Sequence, residues 1–229
     1  MEIDPRKTYA VMSGDIVMSS RLEREAREAL PGVLKQAATA LREFLGDAVP
    51  LDIDVYAGDS WQLLLTRPGA ALRAAVFLRS FLLDRADGLD TRIAVAIGGI
   101  DFVPGERVSE GDGEAFRLSG RLLQESDPGR RMRFASSHLP DAGTWDVAFG
   151  LLDAIITQNW SAKQARAVSG ALRGWTLSRI ASLWGSPVAE STVRSHLKKA
   201  GWPVIERAID HFELKINHYE GERPGANLR

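Results

Sequence analysis

The chain has 229 residues, 45% hydrophobic and 26% charged, with 29 Lys and Arg against 30 Asp and Glu; this is the balance of a folded globular protein and excludes an intrinsically disordered chain. The absence of cysteine excludes disulfides, thiolate catalysis, Cys-ligated zinc and iron–sulfur clusters, and fits a reducing cytoplasm. No apolar run approaches the roughly 18 residues of a membrane helix, and the opening MEIDPRKTYAVM lacks the apolar stretch of a signal peptide.

Residues 8–17 (TYAVMSGDIV) read as a buried strand. Residues 21–45 place Leu22, Ala26, Leu30, Leu34, Ala37, Leu41 and Phe44 at steps of three or four, so a helix is predicted, kinked or divided at Pro31. Residues 51–56 alternate at period two, Ala57-Gly58-Asp59 signals a turn, and 61–66 returns, which together predict a hairpin. A helix is expected over 68–83, a strand over 91–97, a Gly-rich acidic loop over 98–113, a helix over 114–124 and a short strand over 133–136. Beyond about 140 the strand signals stop. Helices are expected over 145–158, 162–172, 177–184, 190–200 and 203–217. The expected fold class is α+β, with a mixed domain over 1–140, an all-α domain over 141–218 and a disordered tail over 219–229. The five tryptophans after residue 140 read as the core of that small helical domain.

Charge divides the same way. Residues 1–159 carry 18 Lys and Arg against 24 Asp and Glu, whereas 160–229 carry 11 against 6. Within 161–202 Lys163, Arg166, Arg173, Arg179, Arg194, Lys198 and Lys199 face Glu190 alone. Such asymmetry suggests an anionic partner for the second part, or simply a solvated helical face. The stretch WTLSRIASLWG, then SPVAE, then STVRSHLKKA has a helix-turn-helix layout. Ile180, Ala181 and Trp184 share one face of its first helix, Gly185 is expected to turn with positive φ, and Val193 and Leu197 point inward on the second helix. Ser191, Thr192, Arg194, Ser195, Lys198 and Lys199 then point outward. Hydroxyls and Arg near a helix N-terminus suit base edges, and lysines suit phosphates. A bundle helix pair with a wet face fits the same spacing.

In the first part, Asp15 follows Ser13-Gly14 at the end of the first strand and Asp59 sits at the hairpin tip. If those strands are neighbours, the two carboxylates converge into the oxygen-rich site that Mg²⁺ or Mn²⁺ prefers; otherwise each caps a turn. The flanking Gly14 and Gly58 would let a phosphate approach the backbone.

The segments SGDIVMSSRLE, YAGDSWQLLL, TRIAVAIGGI and SEGDGEAFRLSGRLL, in this order, resemble a diverged class III nucleotide cyclase homology domain. With the helix-turn-helix pattern they resemble more closely the SatD family. The resemblance spans about residues 8–136, and the pairing of modules extends it to about 215. It implies a ferredoxin-like βαββαβ core acting as a homodimer with the nucleotide at the subunit interface. It implies metal binding by Asp15, the Ile16 carbonyl and Asp59, and charge stabilisation by Arg121, which would be catalytic if the site turns over. The expected ligand contacts are Gly14, Gly58, Ser60, Arg117 and Arg121. Three positions depart from the cyclase pattern. Val55 replaces the base-reading lysine, Arg117 replaces an asparagine, and only Asp112 stands near the base-selecting acid. Two functions follow. One is a DNA-binding transcriptional regulator whose cyclase-like domain senses a nucleotide or other phosphate-bearing small molecule. The other is a metal-dependent nucleotidyl cyclase or transferase with a regulatory helical module. A protein–protein adaptor is a third, plainer option. None of these involves a membrane.

Overall fold

The computed structural model describes residues 2–85, 89–125 and 129–222. Its elements are β1 (Tyr9–Ile16), α1 (Arg24–Leu45), β2 (Asp54–Tyr56), β3 (Ser60–Leu65), α2 (Ala71–Arg85), β4 (Thr91–Gly98), α3 (Glu114–Gln124) and β5 (Met132–Ser136). Helices follow: α4 (Ala142–Asn159), α5 (Ala162–Leu172), α6 (Leu177–Ala181), α7 (Glu190–Lys199) and α8 (Trp202–Glu222). The sheet order is β2-β3-β1-β4-β5. β1 runs antiparallel to both β3 and β4, and β2 antiparallel to β3. This is the order and polarity of a βαββαβ unit, to which β5 adds in parallel beside β4. Among the described residues no helix is long and apolar enough to cross a membrane.

Alternation along the strands separates two faces. Ala10, Met12 and Ile16 of β1, Trp61, Leu63 and Leu65 of β3, and Ile93, Val95 and Ile97 of β4 face the main core, against α1 and α2. Tyr9, Val11 and Leu64 face a smaller core closed by Ala115 and Phe116 of α3 and by Ile100, Val103 and Val108. α1 passes through Pro31 as one helix rather than dividing there. Leu30, Leu34, Ala37, Ala38, Leu41 and Leu45 are buried around and beyond the proline, and that burial outweighs the one backbone hydrogen bond proline removes.

The boundary drawn at residue 140 is not a boundary in packing. Trp145, Phe149, Leu152 and Ile156 of α4, Ala165, Val168 and Leu172 of α5, and Ile205, Ile209, Phe212 and Ile216 of α8 belong to the same core as the strands and α1–α2. Phe212 meets Phe134 of β5 with ring centroids 5.5 Å apart and Trp145 at 4.9 Å, both edge to face. Trp145, Trp160 and Trp202 are buried in this shared core, not in a helical core of their own. α8 also carries residues 219–222, placed by sequence in the tail, while 223–229 lie outside the described residues.

A buried ionic knot ties the two halves. Fully buried Arg79 of α2 donates to both oxygens of Asp90 (2.9 and 2.6 Å), to Asp153 of α4 (2.7 Å) and to Thr157 (3.0 Å). Arg131 also donates to Asp90 at 2.5 Å, and its backbone N–H reaches Asp153 at 2.6 Å.

Helices α5, α6 and α7 also build a small core of their own, from Ala167, Ile180, Ala181 and Val193, bordered by Trp175, Trp184, Val188 and Leu197. Gly170 permits it, because a Cβ there would lie 2.6 Å from the Ile180 side chain. The positive-φ glycines of this region are Gly174 and Gly201 (φ 70 and 73), not Gly185. α6 ends at Ala181, short of the expected 184.

Candidate functional site

The backbones that carry Asp15 and Asp59 are neighbours. Register sets Asp15 opposite Ser60, and the next N–H, that of Ile16, donates to the carbonyl of Asp59 at 3.2 Å. The hairpin that carries Asp59 turns through Ala57 and Gly58, both at positive φ (50 and 88). Two strands separated in sequence but paired in the sheet thus bring Asp15, Ile16, Asp59 and Ser60 to one end of it. Thr91 fixes that end: its hydroxyl donates to the Asp15 carbonyl at 2.7 Å and accepts from the buried Trp61 indole at 2.9 Å.

The sequence reading missed Arg92. It stands directly across from Asp15 on β4. Its Nε donates to Asp15 Oδ1 at 2.7 Å and its Nη2 to Oδ2, a two-point fork that matches a carboxylate. The only clue in sequence is a lone cation in the otherwise apolar strand TRIAVAI. The hydrogen bonds it donates to Asp15, opposed by partial burial and aided by the charges of Asp15 and Asp59, hold this guanidinium above its ordinary range. Burial and the carboxylates of Asp54 and Asp15 push the Tyr56 phenol up. The Ser19 hydroxyl donates to Asp59 Oδ2, and the Ser109 hydroxyl and N–H both donate to Asp54 Oδ2.

This donor set does not fit a divalent cation as arranged. Both oxygens of Asp15 are held by Arg92 and one of Asp59 by Ser19. Among the described residues no group of three or more His, Asp or Glu could enclose a metal ion. A guanidinium next to the pair adds like charge where the cation would sit.

The other expected ligand contacts separate. Gly14 is used for packing: a Cβ there would meet the Trp61 ring at 2.3 Å and the Arg92 carbonyl at 2.5 Å. Its missing side chain therefore makes room for an indole, not for a phosphate. Gly58 is exposed at the hairpin tip with open space around it. Arg117 bonds Asp112 at 2.8 Å and lies 3.5 Å from Asp101, so its charge is matched by the loop before α3. Asp112 is engaged in turn by Arg117 and by the Gly113 N–H at 2.7 Å. Arg121 is exposed in the last turn of α3. The neighbouring Leu122 and Glu125 line a recess with Arg92, at the same end of the sheet as Asp15.

At the other end of the chain, α7 buries Val193 completely and leaves Ser191, Arg194, Ser195, Lys198 and Lys199 exposed, with Thr192 half-buried. Among the described residues none of Arg194, Lys198 and Lys199 is paired with a carboxylate. His196 stacks on Trp184 with ring centroids 5.8 Å apart, and Arg166 lies over that same indole. Burial, with Lys163 and Lys199 nearby, pushes the His196 imidazole down and favours its neutral form.

No family model and no curated protein matches the chain. Solved structures of cyclase domains resemble it. One is a bacterial light-regulated adenylyl cyclase, at 18% identity and TM-score 0.41, covering 56% of this chain. The match takes in 43% of that cyclase's own length. Another is the guanylyl cyclase Cya2, at 16% identity and TM-score 0.42 over 59% of this chain and 77% of that one. A third is the monomeric guanylyl cyclase domain of the RhoGC fusion protein from the aquatic fungus Blastocladiella emersonii, at 14% identity and TM-score 0.42 over 56% and 80%. At these identities and scores the likeness assigns no role to any residue of this chain.

Proposed function

We propose that this chain is a DNA-binding transcriptional regulator of the SatD type, in which α5, α6 and α7 act as a helix-turn-helix carried on a cyclase-like sensing domain. One observation carries the reading. α7 keeps its apolar side on α5 and α6 and turns an uncompensated row of Ser191, Arg194, Ser195 and Lys198 to solvent. In a major groove, Arg194 and the hydroxyls would meet base edges, while Lys198 and Lys199 would meet phosphates. The α/β part would bind a nucleotide or another phosphate-bearing small molecule, and a homodimer would set two α7 helices against two half-sites. The test is fluorescence anisotropy with genomic fragments across a salt series. Each phosphate contact contributes a log–log slope of about 0.9, so Lys198→Ala with Lys199→Ala should flatten the slope by about two. Binding unaffected by this pair and by Arg194→Ala would remove the reading.

A second reading, a Mg- or Mn-dependent nucleotidyl cyclase or transferase, draws on the neighbouring backbones of Asp15 and Asp59, and the Arg92 fork on Asp15 counts against it. Incubation with each nucleoside triphosphate and either metal tests it. Pyrophosphate release that Asp59→Asn abolishes would establish turnover.

A further inference from the structure

We propose that Arg92 occupies the cation position of the Asp15–Asp59 pair, so that this chain closes the site to divalent metal with a guanidinium of its own. The inference goes beyond the DNA-binding reading and stands or falls separately from it.

Placement argues first. Arg92 does not reach Asp15 along a loose surface chain. The two residues are cross-strand partners in the β1–β4 ladder, so the sheet register itself sets the guanidinium beside the carboxylate. Geometry argues second. The fork engages both oxygens of Asp15, so whichever one a metal took would already be shared with the guanidinium. Third, the remaining acid is also engaged, since Asp59 takes the Ser19 hydroxyl and still lies close enough for its charge to act on Arg92. Two carboxylates and one guanidinium leave a single net negative charge, too little to hold a divalent ion against a fixed cation. The side chain of Arg92 is 42% exposed and that of Asp15 18% exposed, so solvent metal can reach the site and its exclusion is a matter of charge, not access.

A gain-of-binding experiment decides it. Mn²⁺ is titrated into the full chain while the free-ion paramagnetic resonance signal is followed, for wild type, Asp15→Asn, Arg92→Met, Arg92→Gln and Arg92→Met with Asp15→Asn. We expect wild type to take up no stoichiometric Mn²⁺. Each single Arg92 variant should gain one site roughly tenfold or more tighter than any wild-type uptake, and the added Asp15→Asn should abolish it. Stoichiometric Mn²⁺ on wild type, lost in Asp15→Asn alone, overturns the proposal even if the Arg92 variants fail to fold. Folded Arg92 variants that gain no Mn²⁺ overturn it as well. Neither result touches DNA binding, which is read in a separate assay.

Discussion

Replacing Arg79 with Met should lower the melting temperature of the whole molecule, not of one half. Arg79 is fully buried and forms four hydrogen bonds, two to Asp90, one to Asp153 and one to Thr157. Methionine fills a similar volume without the charge, so the loss is mainly electrostatic. Breaking a buried ion pair from one side costs about 3–5 kcal/mol, because the partner is left charged and unpaired. Here two carboxylates lose Arg79, but neither is stripped. Asp90 keeps Arg131 at 2.5 Å and the Thr91 N–H at 2.8 Å, and Asp153 keeps the Arg131 N–H at 2.6 Å. A value near the middle of the range, about 4 kcal/mol, follows. With roughly 2 cal/mol/K of unfolding entropy per residue, a chain of this length should melt about 8 °C lower. Calorimetry measures the shift. Far-ultraviolet circular dichroism and tryptophan fluorescence should report one coincident transition in urea, since five of the six tryptophans lie beyond residue 140 and the main core spans both halves. A shift under about 2 °C, or a fluorescence transition that precedes the dichroism one, would refute the argument that the knot and the shared core bind the halves together.

Gly14→Ala should prevent stable folding or cost several times the roughly 1–3 kcal/mol of ordinary overpacking, because the new methyl group meets both a buried indole and backbone; soluble yield and melting temperature check this. Gly170→Ala should push Ile180 aside and loosen α6, costing about 1–3 kcal/mol by denaturant titration and, on the proposed DNA-binding reading, weakening DNA binding by anisotropy. Asp146 predicts an acid limb. Burial raises its carboxyl, but the Arg130 fork, the Phe134 N–H and the charges of Arg130 and Arg133 outweigh that and bring it below the usual range. A group depressed in the folded state stabilises above its unfolded value, about 3.9, and that stability drains as pH falls through the folded value. Asp146→Asn should therefore flatten the loss of stability below about pH 4 in a melting series across pH.

Local pattern was enough for most of the elements and for marking Asp15 and Asp59 as candidates. Helix α3 and helix α5 fall on the residues that apolar spacing marks, and Asp15 and Asp59 are conspicuous because each follows a glycine in an apolar context. What escaped was non-local. Arg92 meets Asp15 only through a register between strands 77 residues apart, which no window of sequence contains. The shared core escaped for a similar reason. An apolar helix such as α4 looks the same whether it packs on neighbouring helices or on a sheet. Its one internal clue was Asp153, a carboxylate set among apolar residues that needed a buried cation from elsewhere. At Pro31 the pattern allowed a kink or a break, and burial on either side of the proline keeps the segment one helix. Gly185 misled because the turn after α6 is longer than the short one its position suggested.

Helix α5 serves two masters. Ala165, Val168 and Leu172 are anchored in the large interior, while Ala167 supports Ile180 and Val193 of the small one. A helix gripped on both flanks is a rivet, not a tether. The basic row on α7 is thus carried by a helix that is itself packed into the main core. A change at the acidic end of the sheet would therefore meet α7 through the packing of α5 rather than across a free linker.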